Sequence, residues 1–105
     1  MRYIDDHSHL HGKEYDQDRA EVLARMREAA VGAITVGTDI AESRKAVALA
    51  ELHSDIWATI GQHPTDNHIE EFDVEAYREL AKSPKVVAIG ECGFDYFRLK
   101  EGMEA

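Results

Sequence analysis

Short apolar runs alternate along this chain with stretches in which apolar residues return every three or four positions. Arg2–Asp5 predicts a first strand, followed at once by the polar stretch His7-Ser8-His9-Leu10-His11-Gly12. Asp18–Ala30 predicts a helix, because Val22, Leu23, Met26 and Ala29/Ala30 share a stripe that Arg19, Glu21, Arg25 and Glu28 avoid. Asp16 or Asp18 can cap its start, where unpaired N–H groups and the helix dipole favour a carboxylate. The run Ala33-Ile34-Thr35-Val36 reads as a second strand, ended by the turn Gly37-Thr38-Asp39. Ala41–His53 predicts a second helix with Ala46, Val47, Leu49, Ala50 and Leu52 on its apolar face. Ile56–Gly61 predicts a third strand closed by Gln62-His63-Pro64, and Val74–Lys82 a third helix stopped by Pro84. Val86–Gly90 has the strongest apolar character and reads as a buried strand, running into Glu91-Cys92-Gly93-Phe94-Asp95-Tyr96.

The predicted order is β-α-β-α-β-α-β, an α/β chain of parallel βαβ units, with residues 1–105 forming a single domain. The chemically capable residues fall together in this scheme. His7/His9, Thr38/Asp39, His63/Asp66 and Glu91/Asp95 all lie just past the carboxyl end of a predicted strand. That edge of a parallel sheet is where sites are built.

Composition narrows the partners. The 105 residues hold 12 Lys and Arg against 21 Asp and Glu, a formal charge of −9. That balance excludes a nucleic-acid binder working by a basic field alone. A phosphate-rich partner needs a local cation, such as a metal, to offset the repulsion. The single cysteine, Cys92, excludes an internal disulfide framework and a cysteine-based zinc cluster. The polar start predicts no secretory signal, and no apolar run suits a membrane span. The expected setting is cytoplasmic, without a membrane partner.

Residues two apart in an extended segment face the same way, so His7 and His9 can converge on one divalent ion. Two histidines at this spacing also arise by chance. Glu91, at the end of a buried run, is costly unless metal-bound or paired; it serves a metal, or else caps a turn or pairs with an Arg or Lys. A carboxylate bridging two metal ions is an arrangement used for phosphodiester hydrolysis. His63, rigidified by Pro64, serves either a phosphate contact or the turn itself. Thr38 and Asp39 read as turn and helix cap, and Asp95 and Tyr96 either orient a ligand or hold their loop. His11, His53 and His68 read as solvated, and Cys92 as inert. No phosphate-binding glycine loop, dinucleotide fingerprint or GxSxG elbow is present.

Taken together, Ile4-Asp5-Asp6-His7-Ser8-His9-Leu10, Val36-Gly37-Thr38-Asp39, Gly61-Gln62-His63-Pro64 and Val86–Tyr96 resemble the TatD family of metal-dependent deoxyribonucleases. The resemblance runs from Arg2 to about Arg98. It implies the first half of a (β/α)8 TIM barrel, with His7, His9 and Glu91 as metal ligands and His63 at the substrate-facing rim. It also implies divalent ions, two per complete site (zinc, magnesium or manganese), and a DNA substrate hydrolysed by metal-activated water. The family's barrel takes about 250 residues, and its two later histidines and late aspartate have no counterpart here. A truncated chain is therefore expected, with no catalytic residue assignable. The alternative is a non-catalytic half-barrel that binds metal or pairs with a second copy through its open sheet edges. Smaller departures stand out too, among them a one-residue shortening before Val36. Gly32 is expected to make the turn after the first helix, and His11 stands where the family commonly has an acid.

Overall fold

The computed structural model describes residues 2–63 and 72–90. Over these, β1 (Tyr3–Ser8), α1 (Arg19–Glu28), β2 (Val31–Val36), α2 (Ile40–Leu52), β3 (Ile56–Ile60), α3 (Val74–Ala81) and β4 (Val86–Ile89) succeed one another along the chain. A short 3-10 turn, Lys13–Tyr15, precedes α1. The strands form one parallel sheet in the order β1-β2-β3-β4. The expected alternating α/β arrangement is borne out.

The core lies between the sheet and its helices. Ala33 of β2 and Ile56, Ala58 and Ile60 of β3 meet Ala46, Val47, Leu49 and Ala50 of α2. The four alanines in this set are fully buried, and their small side chains let α2 sit close to β2 and β3. Leu23 of α1 and Tyr77 of α3 extend the cluster on either side. Asp39 starts α2 by accepting the Glu42 N–H at 2.7 Å, and Asp73 starts α3 by accepting that of Ala76 at 3.1 Å. Asp18 occupies the same position before α1 without a capping hydrogen bond.

Three expectations need correction. The first strand runs on through His7 to Ser8, because the Ser8 hydroxyl donates to the Ile34 carbonyl at 2.9 Å and Ser8 pairs with Thr35. Strand β4 is not buried: Val87 and Ile89 are more than half exposed. Among the described residues it pairs with β3 alone, and only its Val86 packs on the core. A sequence apolar on both faces needs cover on both faces, and the described residues do not supply it. Finally, the turn after α1 is made by Ala30, at φ 59°, rather than by Gly32, which lies in β2.

The Ala30 carbonyl accepts the Arg2 and Tyr3 N–H groups at 2.6 and 3.2 Å, so the left-handed turn also anchors the start of β1. An L-residue in that region costs about 1–2 kcal/mol that glycine does not. Ala30→Gly is therefore expected to stabilise the fold by about 1 kcal/mol. In thermal unfolding this is a rise of roughly 4–8 °C in Tm; an unchanged or lowered Tm would contradict the assignment of strain.

Candidate metal site at the carboxyl edge of the sheet

The site begins with a slip in strand pairing. Asp5 pairs with Ala33, yet Ser8 pairs with Thr35 where unbroken register would match it to Val36. A one-residue slip moves the succeeding side chains to the other face. Ala33 and Thr35 face the helices, so Ser8 joins them while His7 turns to the opposite, open face. His7 is exposed, and the His7 and His9 rings meet edge to face at 5.3 Å.

The half-buried His9 ring is held by its Nδ1, 2.9 Å from the Val36 carbonyl oxygen. A carbonyl only accepts, so Nδ1 carries the proton and Nε2 keeps a free lone pair. This is how metal-binding histidines are commonly oriented. The donor set therefore fits a divalent ion at Nε2. Among the described residues, no group of three or more His, Cys, Asp or Glu is arranged to hold a metal. The described residues thus bring His7 and His9 together without a third such side chain beside them. Glu91, with Asp66, His68, Cys92, Asp95 and Tyr96, lies outside the described residues.

The loops after β2 and β3 meet beside this pair. The N–H of half-buried His63 donates to the Thr38 carbonyl at 2.7 Å. Two residues earlier, Gly61 is gripped from two helices. Its N–H and carbonyl lie 3.2 and 3.3 Å from the Ser43 hydroxyl, and its carbonyl also accepts the Tyr77 hydroxyl at 3.0 Å. A Cβ on Gly61 would collide with the Gly90 carbonyl oxygen, so β3 and β4 approach closely at this edge only because Gly61 has none. Gly90, which precedes Glu91, donates to the Ile60 carbonyl at 2.9 Å. Asp39 and Thr38 serve as cap and turn, as their sequence context indicates.

His11 overturns its expected role as a solvated residue. It is only 6% exposed. Its Nε2 lies 3.3 Å from the Glu42 carboxylate and its Nδ1 2.5 Å from the Thr35 hydroxyl. The carboxylate accepts from Nε2–H, which leaves Nδ1 to accept the hydroxyl proton of Thr35. Burial lowers the His11 pKa below 6.5, opposed by the attraction of Glu42. A signal was available: polar His11 interrupts Leu10 and Gly12, both buried. His53 is likewise half-buried and paired, its Nδ1 2.5 Å from the Arg27 guanidinium at the opposite end of the strands. A cavity of about 420 Å³ opens at the site, lined by His9, His11, Lys13, Glu14, Thr38 and Glu42.

The family model for TatD related DNase matches residues 4–105. The chain belongs to the TatD related DNase family. It is 44% identical over 94 residues to the 3'-5' ssDNA/RNA exonuclease TatD of Erwinia tasmaniensis, covering 85% of this chain and 36% of that protein. The TatD exonuclease of Escherichia coli K12 is 42% identical over 91 residues, covering 85% and 35% respectively. The crystal structure of YJJV, a TatD homolog from Escherichia coli K12, superposes with a TM-score of 0.72 at 30% identity. That match covers 91% of this chain and 39% of YJJV. The chain thus spans about a third of the length of the TatD relatives it matches.

The His11 geometry sets a pH dependence. Unfolded, the imidazole takes a proton near 6.5, whereas burial keeps it neutral to lower pH in the fold. Its contribution to stability is complete above 6.5 and is lost as pH falls toward the lowered folded pKa. In chelator-treated protein, the Tm advantage of wild type over His11→Asn should be constant above neutrality and shrink below pH 6.5. An advantage that grows in acid would contradict the neutral, buried assignment.

Proposed function

We propose that this chain carries part of the active site of a TatD-type hydrolase that cleaves phosphodiester bonds in DNA with divalent metal ions. The observation that carries the reading is the His9 ring: Nδ1 is committed to the Val36 carbonyl, and Nε2 is left as a lone pair beside His7. On this reading His7, His9 and Glu91 hold the metal, two ions per complete site, and His63 contacts the substrate from the rim. Imidazole with carboxylate suits zinc or manganese, and magnesium where water fills the remaining positions. Bound ions of this kind lower the pKa of coordinated water and neutralise charge developing on the phosphoryl oxygens. The chain's own contribution is to fix the imidazoles, through the slip in β1 and the carbonyl of Val36. The names of its relatives support a nucleic-acid substrate. A bound cation also answers the repulsion between DNA and a chain of charge −9. We place the protein in the cytoplasm and its residues 1–105 in one partial barrel domain; among the described residues no helix is long and apolar enough to cross a membrane.

A second reading rests on the sheet edges. Among the described residues the sheet has β1 on one side and β4 on the other, with Ile4, Val87 and Ile89 more than half exposed. Two copies, each setting β4 against the partner's β1, would close an eight-stranded ring. A non-catalytic half-barrel that binds metal or pairs in this way is the alternative to a nuclease. The sedimentation mass decides the pairing: twice the chain mass supports it, and a single-chain mass at high concentration removes it.

The metal reading is tested by calorimetric titration of zinc and manganese into the full chain. His7→Ala, His9→Ala and Glu91→Gln should each weaken binding by about tenfold or more, since each removes a direct ligand. Release of nucleotides from single-stranded DNA, abolished by chelator, would support catalysis. Unchanged affinity in His9→Ala would sink the site assignment. Metal binding without any DNA cleavage would favour the non-catalytic alternative.

A further inference from the structure

The stretch His7-Ser8-His9-Leu10-His11 repeats histidine at every second residue, yet the structure sends the third imidazole inward. Both its ring nitrogens are engaged, Nδ1 by Thr35 of β2 and Nε2 by Glu42 of α2, so His11 has no lone pair for a metal. Its backbone N–H also points to the Thr35 hydroxyl at 3.4 Å. His11 thereby pins the loop leaving β1 to a neighbouring strand and to the next helix. That loop is a tight turn: the Gly12 N–H donates to the His9 carbonyl at 2.8 Å. Arg19 grips the same turn, reaching the Leu10 and Gly12 carbonyls at 2.7 and 2.6 Å.

The consequence falls on His9. Its bond to the Val36 carbonyl fixes one atom of the ring, about which the plane can still pivot. The His11 ring stands against it edge to face, with centroids 6.1 Å apart and planes at 68°. We infer that His11 is a positioning residue, held by Thr35 and Glu42, which restrains the plane of the His9 ring and so aims its Nε2 at the metal. The inference rests on the metal reading proposed above and adds a specific dependence to it. His11, Thr35 and Glu42 touch no metal, yet they set how tightly His9 binds one. Outer-shell partners of metal-binding histidines commonly change affinity by about 10–100-fold when removed.

The test is a double-mutant cycle on the full chain, with zinc as the probe. Zinc affinity is measured for wild type, His9→Ala, His11→Ala and the double variant, and Tm in chelator for each. His11→Ala should weaken zinc binding about tenfold and lower Tm. In the His9→Ala background it should lower Tm by the same amount and leave zinc affinity unmoved. Glu42→Gln keeps an acceptor for His11 and should retain wild-type affinity, whereas Glu42→Ala should fall with His11→Ala. The ¹⁵N relaxation of the His9 ring, recorded without metal, should show a more mobile ring in His11→Ala than in wild type, with the Nδ1–H tautomer kept in both. Should His11→Ala fail to fold, Glu42→Ala takes its place in the cycle.

If zinc affinity drops equally in both backgrounds, or does not drop while Tm does, His11 is a structural latch and the inference is overturned. If His9→Ala itself leaves zinc affinity intact, the metal reading falls and the inference falls with it. The two failures are thus told apart by His9→Ala alone.

Discussion

The site depends on one change of register. Where β1 runs beside β2, the pairing slips between Asp5 and Ser8, and the slip decides which way His7 points. A strand in unbroken register would direct His7 toward the helices, into the layer that holds Ala33 and Thr35. The cost of a bulge is a locally broken ladder. The Ser8 hydroxyl offsets part of it by bonding the Ile34 carbonyl, and the pairing resumes at Thr35. Past that point come the His9 ring on the Val36 carbonyl and the turn that carries His11, each held by its own hydrogen bonds.

Much of the fold was legible in the chain because two periodicities compete plainly. The alternation of β-branched runs with three- and four-residue spacing places all seven main elements within a few residues of their true bounds. Asp39 was legible as a cap because its carboxylate comes after a glycine turn and precedes a helix. The burial of β4 was misread for a physical reason: hydrophobicity reports what a strand needs, and cover is supplied by neighbours elsewhere in the chain. Ala30 was missed because alanine carries no signature of a left-handed turn, whereas Gly32 next to it does.

The site was legible in kind and less so in wiring. Spacing alone put His7 and His9 together, and strand ends alone put His63 on the same edge. The partners of those residues were not visible, since Val36, Thr38 and Thr35 meet them only through parallel pairing across long sequence separations. His11 shows the limit most clearly. A histidine in a polar stretch looks solvated until two partners, one from β2 and one from α2, are seen to occupy both its nitrogens. Family resemblance could not supply this, because the residue departs from the family there.

The two outer strands of the sheet bear on how the molecule breathes. Strands β2 and β3 lie under α2 and hold the fully buried Ala33 and Ala58, while among the described residues β1 and β4 have one strand neighbour each. Local opening starts where few apolar contacts and exposed amides coincide, so amide hydrogens on β1 and β4 should exchange with solvent well before those on β3. His7 belongs to one of these loose strands, and Glu91 comes closely after the other. Candidate metal ligands at the periphery of a sheet are therefore only as rigid as its edges. Any ligand that engages both margins would act as a clasp across the sheet, slowing exchange far from the atoms it touches.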